Sequence, residues 1–156
     1  MSGFYLFVSS RDSIEFHKNN CYHDFRVELG REYDLTSRQL VRSHVSWSMA
    51  LVEIDLINMT DNTSPRIKDD VLAVCDLISP SFIRGTERCI LRPIPVGNSG
   101  HFASLYQPYY ITLNTNSFTS VHITLLDRQL KPLDSTNGWP EEDKFSLSCT
   151  LHFQRM

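Results

Sequence analysis

Apolar and polar residues alternate along most of this chain, a pattern typical of β-strands that have one face in a core and the other in solvent. Helical periodicity is almost absent. The alternation is clearest near the end of the chain and predicts five core residues: Phe145, Leu147, Cys149, Leu151 and Phe153. In two other segments it predicts six more: Phe25, Val27, Leu29, Val121, Ile123 and Leu125.

The longest apolar segment, residues 46–59, has two unlike faces. Strict alternation predicts that one face, turned to the core, carries Ala50, Val52, Ile54 and Leu56. The opposite face begins apolar and becomes acidic, in the order Trp47, Met49, Leu51, Glu53 and Asp55. We therefore expect the first half of that opposite face to be covered.

Counting such runs predicts eight strands, at residues 4–9, 22–29, 46–59, 71–78, 89–96, 109–113, 118–126 and 145–153. Turn-forming residues separate the strands. Residues 34–41 are predicted to form one helical turn or a short helix, with Thr36 or Ser37 as its cap. Because no repeat or linker interrupts the chain, residues 1–156 are predicted to form one domain.

Eight strands with mixed long and short connections favour an all-β fold, a single eight-stranded antiparallel jelly-roll β-sandwich. At 156 residues, such a domain buries roughly 68–70% of the surface of its unfolded chain and folds without metal or disulfide. The apolar start of the chain is short and has no basic segment before it or cleavage site after it. We read it as the first strand, with synthesis in the cytoplasm and no membrane span.

Charge and composition bear on the partners of the chain. A formal net charge of −3 gives no electrostatic basis for direct nucleic-acid recognition. Of the 15 basic residues, 11 are arginine and 4 are lysine. Arginine is enriched at protein–protein interfaces and lysine is depleted there, so the ratio favours an assembling surface. Base composition of the gene is an alternative explanation of the same ratio.

Residues suited to chemistry are few and poorly spaced. Ser99 lies among glycines near His101, but adjacent residues do not supply the base and orienting acid that a nucleophile needs, and a glycine-rich turn explains them. His17, Cys21 and His23 match no common metal-ligand spacing. The four cysteines form no C-x-x-C pair and are expected to be buried free thiols. We expect no catalytic activity and no metal, cofactor or disulfide.

Several motifs, read in order, resemble one protein family. They are WSMALVEI at residues 47–54, VCDLI at 74–78, ILRPIPV at 90–96, YYITL at 109–113, FTSVHI at 118–123 and TLHF at 150–153. Together they resemble the penton-like minor capsid proteins of Polinton (Maverick) elements, adintoviruses and adomaviruses, and the resemblance covers roughly residues 1–154. Met49 departs from the family pattern, in which a small β-branched residue is usual, and the turn at residues 127–134 lacks a glycine.

The resemblance implies a single jelly-roll subunit that forms homopentamers at the five-fold vertices of an icosahedral capsid, among double-jelly-roll major capsid proteins. It implies a location in the virion, with assembly in the host nucleus. Many relatives carry sequence beyond the jelly roll. We therefore expect a spike or attachment domain to be absent here or to be supplied by another chain.

A ring of subunits needs two different contact surfaces on each subunit. Candidates are residues expected to point outward with apolar or arginine character: Tyr5, Phe7, Trp47, Met49, Leu51, Arg84, Arg88 and Arg92. The arginines are suited to pair with acidic residues such as Glu53 or Asp55. For Trp47 the alternative is that the chain's own 30–45 segment covers it.

Two other function classes stay open. One is a non-viral or secreted jelly-roll binding module, lectin-like or cytokine-like, that recognises a glycan or receptor. The missing signal peptide and the unpaired cysteines count against secretion. The other is a cupin-like enzyme, but His122 and His152 lie on the polar faces of their strands rather than toward the interior where a metal would bind.

Overall fold

The computed structural model describes residues 3–35, 46–97 and 100–155. These residues form ten β-strands and one turn of 3₁₀ helix at Ser135–Asn137. The strands are β1 (Gly3–Ser9), β2 (Asp24–Asp34), β3 (Trp47–Asn58), β4 (Val71–Cys75), β5 (Ser81–Ile83), β6 (Thr86–Arg88), β7 (Ile90–Ile94), β8 (Ile111–Thr112), β9 (Ser117–Leu126) and β10 (Phe145–Arg155).

Eight of the strands form two four-stranded antiparallel sheets. Sheet A has the order β1-β10-β3-β8, and sheet B has the order β2-β9-β4-β7. The two sheets pack face to face in a sandwich-like arrangement, so the predicted all-β fold with antiparallel sheets is confirmed. In each sheet the inner face is the one turned toward the other sheet, and the outer face is the one turned away.

The predicted count of eight strands is not what the structure has, because β5 and β6 form an additional two-stranded hairpin. The hairpin turns through Arg84 and Gly85, whose φ angles are 50° and 74°. Two consecutive residues with positive φ are the requirement of the tight type I′ turn, for which glycine is favoured. The sequence signal for this turn was Gly85, which lies between the two short strands β5 and β6.

Strand ends differ from the predicted ones mainly at two places. The predicted strand at 22–29 begins later and continues to Asp34, and the one at 109–113 is reduced to Ile111–Thr112. The helical turn or short helix predicted at 34–41 stays a prediction: Asp34 ends β2, but the residues from 36 onward, including the predicted caps Thr36 and Ser37, lie outside the described residues.

The core lies between the two inner faces and contains a ring of four stacked aromatic side chains. Phe153 of β10 stacks on Phe4 of β1 with ring centroids 4.7 Å apart, and on Phe118 of β9 at 5.4 Å. Tyr33 of β2 closes the ring, at 5.4 Å from Phe118 and 5.7 Å from Phe4. Since these residues come from both sheets, the ring joins the two layers of the sandwich.

The inward residues predicted on β2, β9 and β10 are buried, with Leu29 and Phe145 partly so. The prediction for β3 is wrong over its first half. A β-bulge at Val52 makes Leu51 and Glu53 the partners of Leu151 and Thr150, so the alternation shifts by one residue. Trp47, Met49 and Leu51 therefore point inward, and Met49 is 0% exposed.

Beyond the bulge the predicted faces hold. Leu56 is buried on the inner face, whereas Glu53 and Asp55 are exposed on the outer face of sheet A. Trp47 is partly buried, and its indole Nε1 donates a hydrogen bond to the Leu35 carbonyl at 3.0 Å. The contact with Leu35 agrees with the alternative that the 30–45 segment covers Trp47, of which residues 30–35 are described.

Candidate functional site

The structure does not gather the predicted interface residues into one patch. Tyr5 and Phe7 lie on the outer face of sheet A, while Arg84 and Arg88 lie on the β5–β6 hairpin. The other predicted residues, Trp47, Met49, Leu51 and Arg92, are buried or partly buried within the chain itself. Two separate exposed surfaces therefore remain as candidates for contact with another molecule.

The first surface includes the edge strand β1, which pairs only with β10 among the described residues. Phe4, Leu6 and Val8 of this strand point inward, so Tyr5 and Phe7 point outward and are 58% and 73% exposed. Exposed apolar side chains on an edge strand favour association with another chain.

Tyr5 is held in place by a neighbour on β10. Its ring stacks on the His152 imidazole with centroids 4.4 Å apart, and the Tyr110 hydroxyl lies 2.6 Å from His152 Nδ1, in hydrogen-bonding contact. His152 thus contacts Tyr5 on one side and Tyr110 on the other. Phe7 has no such partner among the described aromatic pairs, and its ring is free to contact another molecule.

Beside Phe7 lies a groove of about 390 Å³ across β1, β10 and β3. We call it the acidic groove, and its lining includes Phe7, Asp12, Glu53, Asp55 and Thr150. The Thr150 side chain forms its floor and is only 7% exposed. No described residue forms an ion pair or hydrogen bond with the Glu53 or Asp55 side chain.

Arg92 was predicted to be an outward contact residue, and the structure corrects this. It is 7% exposed, and its guanidinium donates hydrogen bonds to the carbonyls of Pro93 at 3.1 Å and Gln107 at 3.0 Å. The Tyr109 ring lies against it, 4.4 Å from the guanidinium carbon. Arg92 therefore joins the loop before β8 to the edge strand β7, and its role is structural.

The second surface is the β5–β6 hairpin, where sequence reasoning missed Phe82. Its side chain is 78% exposed. Arg84, at the turn, lines a groove of about 560 Å³ with Lys68, Arg128 and Lys131, which we call the basic groove. Glu87 pairs across the hairpin with Phe82 and is the acidic member of this surface.

The carboxylates near the basic groove already have partners. Arg128 forms ion pairs with Asp69 at 3.4 Å and Asp70 at 3.0 Å. Asp127 accepts hydrogen bonds from the backbone N–H groups of Gln129 and Lys131. Arg84 itself forms no ion pair or hydrogen bond to any part of the chain that the structure describes.

The outer face of sheet B carries pairs of histidine and carboxylate side chains. His122 Nε2 lies 2.6 Å from an Asp24 carboxylate oxygen, and His17 Nε2 lies 2.8 Å from Glu28. The hydrogen bond with His122 is the main cause of a lowered pKa for Asp24, and it outweighs the opposing effect of burial. Folding thus stabilises the ionised form of the Asp24 carboxyl group relative to the protonated form.

This pair predicts a pH dependence of stability. Because the folded-state pKa of Asp24 lies below its ordinary value of 3.8, the contribution is complete above that value and is lost as the pH falls through the lower folded-state pKa. Denaturant unfolding between about pH 5 and pH 2 should show that Asp24→Asn has a shallower acid loss than the unmodified protein. Parallel curves for the two proteins would contradict this role of Asp24.

The residues considered as metal ligands do not form a site. His17 contacts Glu28, whereas His23 Nε2 lies 3.5 Å from Glu142. No group of three or more potential ligands occurs among the described residues. All four cysteines are free thiols, and burial raises the pKa of the Cys149 thiol to about 12, which leaves it protonated and unreactive at neutral pH.

The glycine-rich segment near His101 also lacks a nucleophile arrangement in its described part. His101 Nδ1 lies 2.9 Å from the Pro65 carbonyl oxygen, so the ring is engaged with backbone. Ser99 lies outside the described residues.

Neither models of known protein families nor the curated proteins include a match to this chain. Within the described ranges, no helix has the length and apolar character needed to cross a lipid bilayer.

Proposed function

We propose that this chain is a single jelly-roll capsid protein, a penton-type subunit that assembles as a homopentamer at icosahedral five-fold vertices. The order of strands supports the jelly roll. Numbered one to eight along the chain, the strands of the two large sheets have the orders 1-8-3-6 and 2-7-4-5. Nested Greek keys produce this interleaving, in which the first and last strands are neighbours.

One observation carries the proposal of assembly: the two outer faces of the sandwich bear unlike exposed surfaces. On sheet A, Phe7 lies beside carboxylates and Tyr5 is exposed on the same face of β1, whereas Phe82 and Arg84 lie on the hairpin next to sheet B. A closed ring requires such a pair of different surfaces, because each subunit meets its neighbour head to tail. The sequence motifs that resemble penton-like proteins favour a ring of five.

The same proposal implies which proteins the chain would contact and where it would be located. It would contact double-jelly-roll major capsid proteins at the vertex and would carry or receive a spike or attachment protein there. Its location would be the virion, after synthesis in the cytoplasm and assembly in the host nucleus. It would act as a structural protein and not as an enzyme, without a cofactor.

We expect the purified protein to form a discrete ring. Native mass spectrometry should detect a species of about 90 kDa, five times the 18.0 kDa of the chain. Negative-stain images of the same sample should show five-fold particles. A protein that stays monomeric at high concentration and never enters rings would contradict the proposal.

The second candidate function is a glycan-binding module. The acidic groove favours it, because an exposed aromatic ring, carboxylates and the Ser148 and Thr150 hydroxyls are groups that bind sugars. Oligomeric state and glycan binding, both measured in solution, distinguish the two candidate functions. A monomer that binds glycans, with Phe7→Ala abolishing the binding, would support the module, whereas a ring without glycan affinity would support the capsid subunit.

A further inference from the structure

We propose that the acidic groove on the outer face of sheet A binds the hairpin tip at Arg84 of a second copy of this chain. This inference rests on the proposed function, since it names the two surfaces through which neighbouring subunits of the ring meet. The occupant of the acidic groove is thus an arginine side chain on a protruding β-hairpin.

The acidic groove has the composition of a guanidinium site. Glu53 and Asp55 are two residues apart on β3, so both carboxylates project from the same face. No described cation pairs with either one. Like charges side by side on a sheet repel each other, and a cation from outside would relieve that repulsion.

The aromatic side of the groove suits the same ligand. Glu53 is paired with Thr150 on β10, and Thr150 is paired with Phe7 on β1. Neighbouring strands lie about 4.8 Å apart, so a guanidinium above Thr150 would be within about 5–6 Å of both a carboxylate and the Phe7 ring. Arginine, more than lysine, combines bidentate pairing with stacking on an aromatic face.

Thr150 adds a polar group at the floor of the groove. Its side chain is 7% exposed, and its hydroxyl has no hydrogen-bond partner among the described residues. The Thr150 hydroxyl oxygen is accessible from the groove, so it can accept a hydrogen bond from a donor that enters there.

The hairpin presents the complementary group. Arg84 stands at the turn and has no ion-pair or hydrogen-bond partner among the described residues, while Lys68 and Lys131 in the basic groove keep the local charge positive. Phe82 lies two residues before Arg84 and is exposed, so it can add apolar contact beside the ion pair. The hairpin thus carries positive charge and the acidic groove carries negative charge. Such charge complementarity selects and orients a partner.

The two surfaces lie on opposite sides of the sandwich. The acidic groove crosses the outer face of sheet A. The hairpin lies next to the outer face of sheet B, where Arg88 lines a groove together with His122 and Thr124 of β9. Contact between them is therefore heterologous and leaves one free copy of each surface on every pair, which allows further subunits to join until the ring closes.

Charge reversal with rescue tests the inference. Glu53→Arg and Arg84→Glu should each raise the protein concentration at half-assembly at least about tenfold, because each places like charges against each other. The combined variant Glu53→Arg/Arg84→Glu restores opposite charges in reversed order and should assemble within about threefold of the unmodified protein. Sedimentation velocity over a concentration series measures all four proteins.

Two controls keep the result specific. Glu32→Arg makes the same substitution at an exposed position on β2 and should leave assembly unchanged. Thermal unfolding should be unchanged in Glu53→Arg and Arg84→Glu, since both side chains are exposed and form no ion pair with any described residue. Because Arg84 already has a positive φ, glutamate there adds no new class of backbone strain.

The outcomes separate this inference from the proposed function. If the unmodified protein forms rings and both single variants do so equally well, the contact between these surfaces is wrong while assembly stands. If the combined variant is no better than the single ones, the two residues do not meet. If the unmodified protein never assembles, both the proposed function and this contact are wrong.

Discussion

Replacing Leu151 by alanine should lower the free energy of unfolding by roughly 2–5 kcal/mol, the range for a fully buried leucine that leaves a cavity. Leu151 is 0% exposed and lies on β10, between β1 and β3 at the centre of sheet A. Close packing on both sides prevents the neighbours from collapsing into the space. Chemical denaturation monitored by tryptophan fluorescence measures the loss.

The matched control is Leu29→Ala, the same substitution at a leucine that only partly contacts the core. Its smaller buried area predicts a loss of about 1 kcal/mol. Equal losses at the two positions, or a loss below about 1 kcal/mol at Leu151, would show that the register of β10 is misassigned.

Replacing Arg92 by glutamate is expected to destabilise the folded subunit by on the order of 3 kcal/mol or more. The variant loses two charge-assisted hydrogen bonds, to the Pro93 and Gln107 carbonyls, and the contact with the Tyr109 ring. It also places a buried carboxylate against carbonyl oxygens, which repel it. The midpoint of thermal unfolding should fall by many degrees.

Arg88→Glu is the control for that variant. Arg88 is exposed, and among the described residues its guanidinium donates one hydrogen bond, to the Glu87 carbonyl at 3.2 Å. Its reversal should therefore change the free energy of unfolding by no more than about 0.5 kcal/mol. Similar stability losses at positions 88 and 92 would contradict the structural role assigned to Arg92. This contrast also means that a test of assembly must not include Arg92, since the subunit itself would be damaged.

The core-facing residues of a strand were predictable wherever one face of that strand is apolar and the other is polar. On β10, and on β9 from Val121 to Leu125, the alternation is unbroken, and Val121, Ile123, Leu147 and Leu151 are all buried as expected. The side-chain period of a strand is fixed by its backbone geometry, so alternating residues suffice to assign the two faces. The existence of each main strand followed from the same signal, although strand ends did not.

The face assignment of β3 could not be predicted because both faces are apolar around the bulge. Met49, Ala50, Leu51 and Val52 follow each other without a polar residue, so no alternation marks the shift of register. At the bulge, Leu51 and Glu53 pair with consecutive residues of β10, which lie almost a hundred positions away along the chain. Only the pairing of the two strands reveals it.

The candidate site depended still more on tertiary structure. The acidic groove takes Phe7 from β1, Thr150 from β10 and Glu53 from β3, and other strands and their loops separate these three strands in sequence. The sequence by itself determined that the protein is a β-sandwich with outward aromatic side chains on its first strand. The order of strands within the sheets, which is set by long-range hydrogen bonding, decided which residues are neighbours. It also decided that Arg92 is buried, whereas Arg84 is exposed and has no ion-pair or hydrogen-bond partner in the part of the chain that the structure describes.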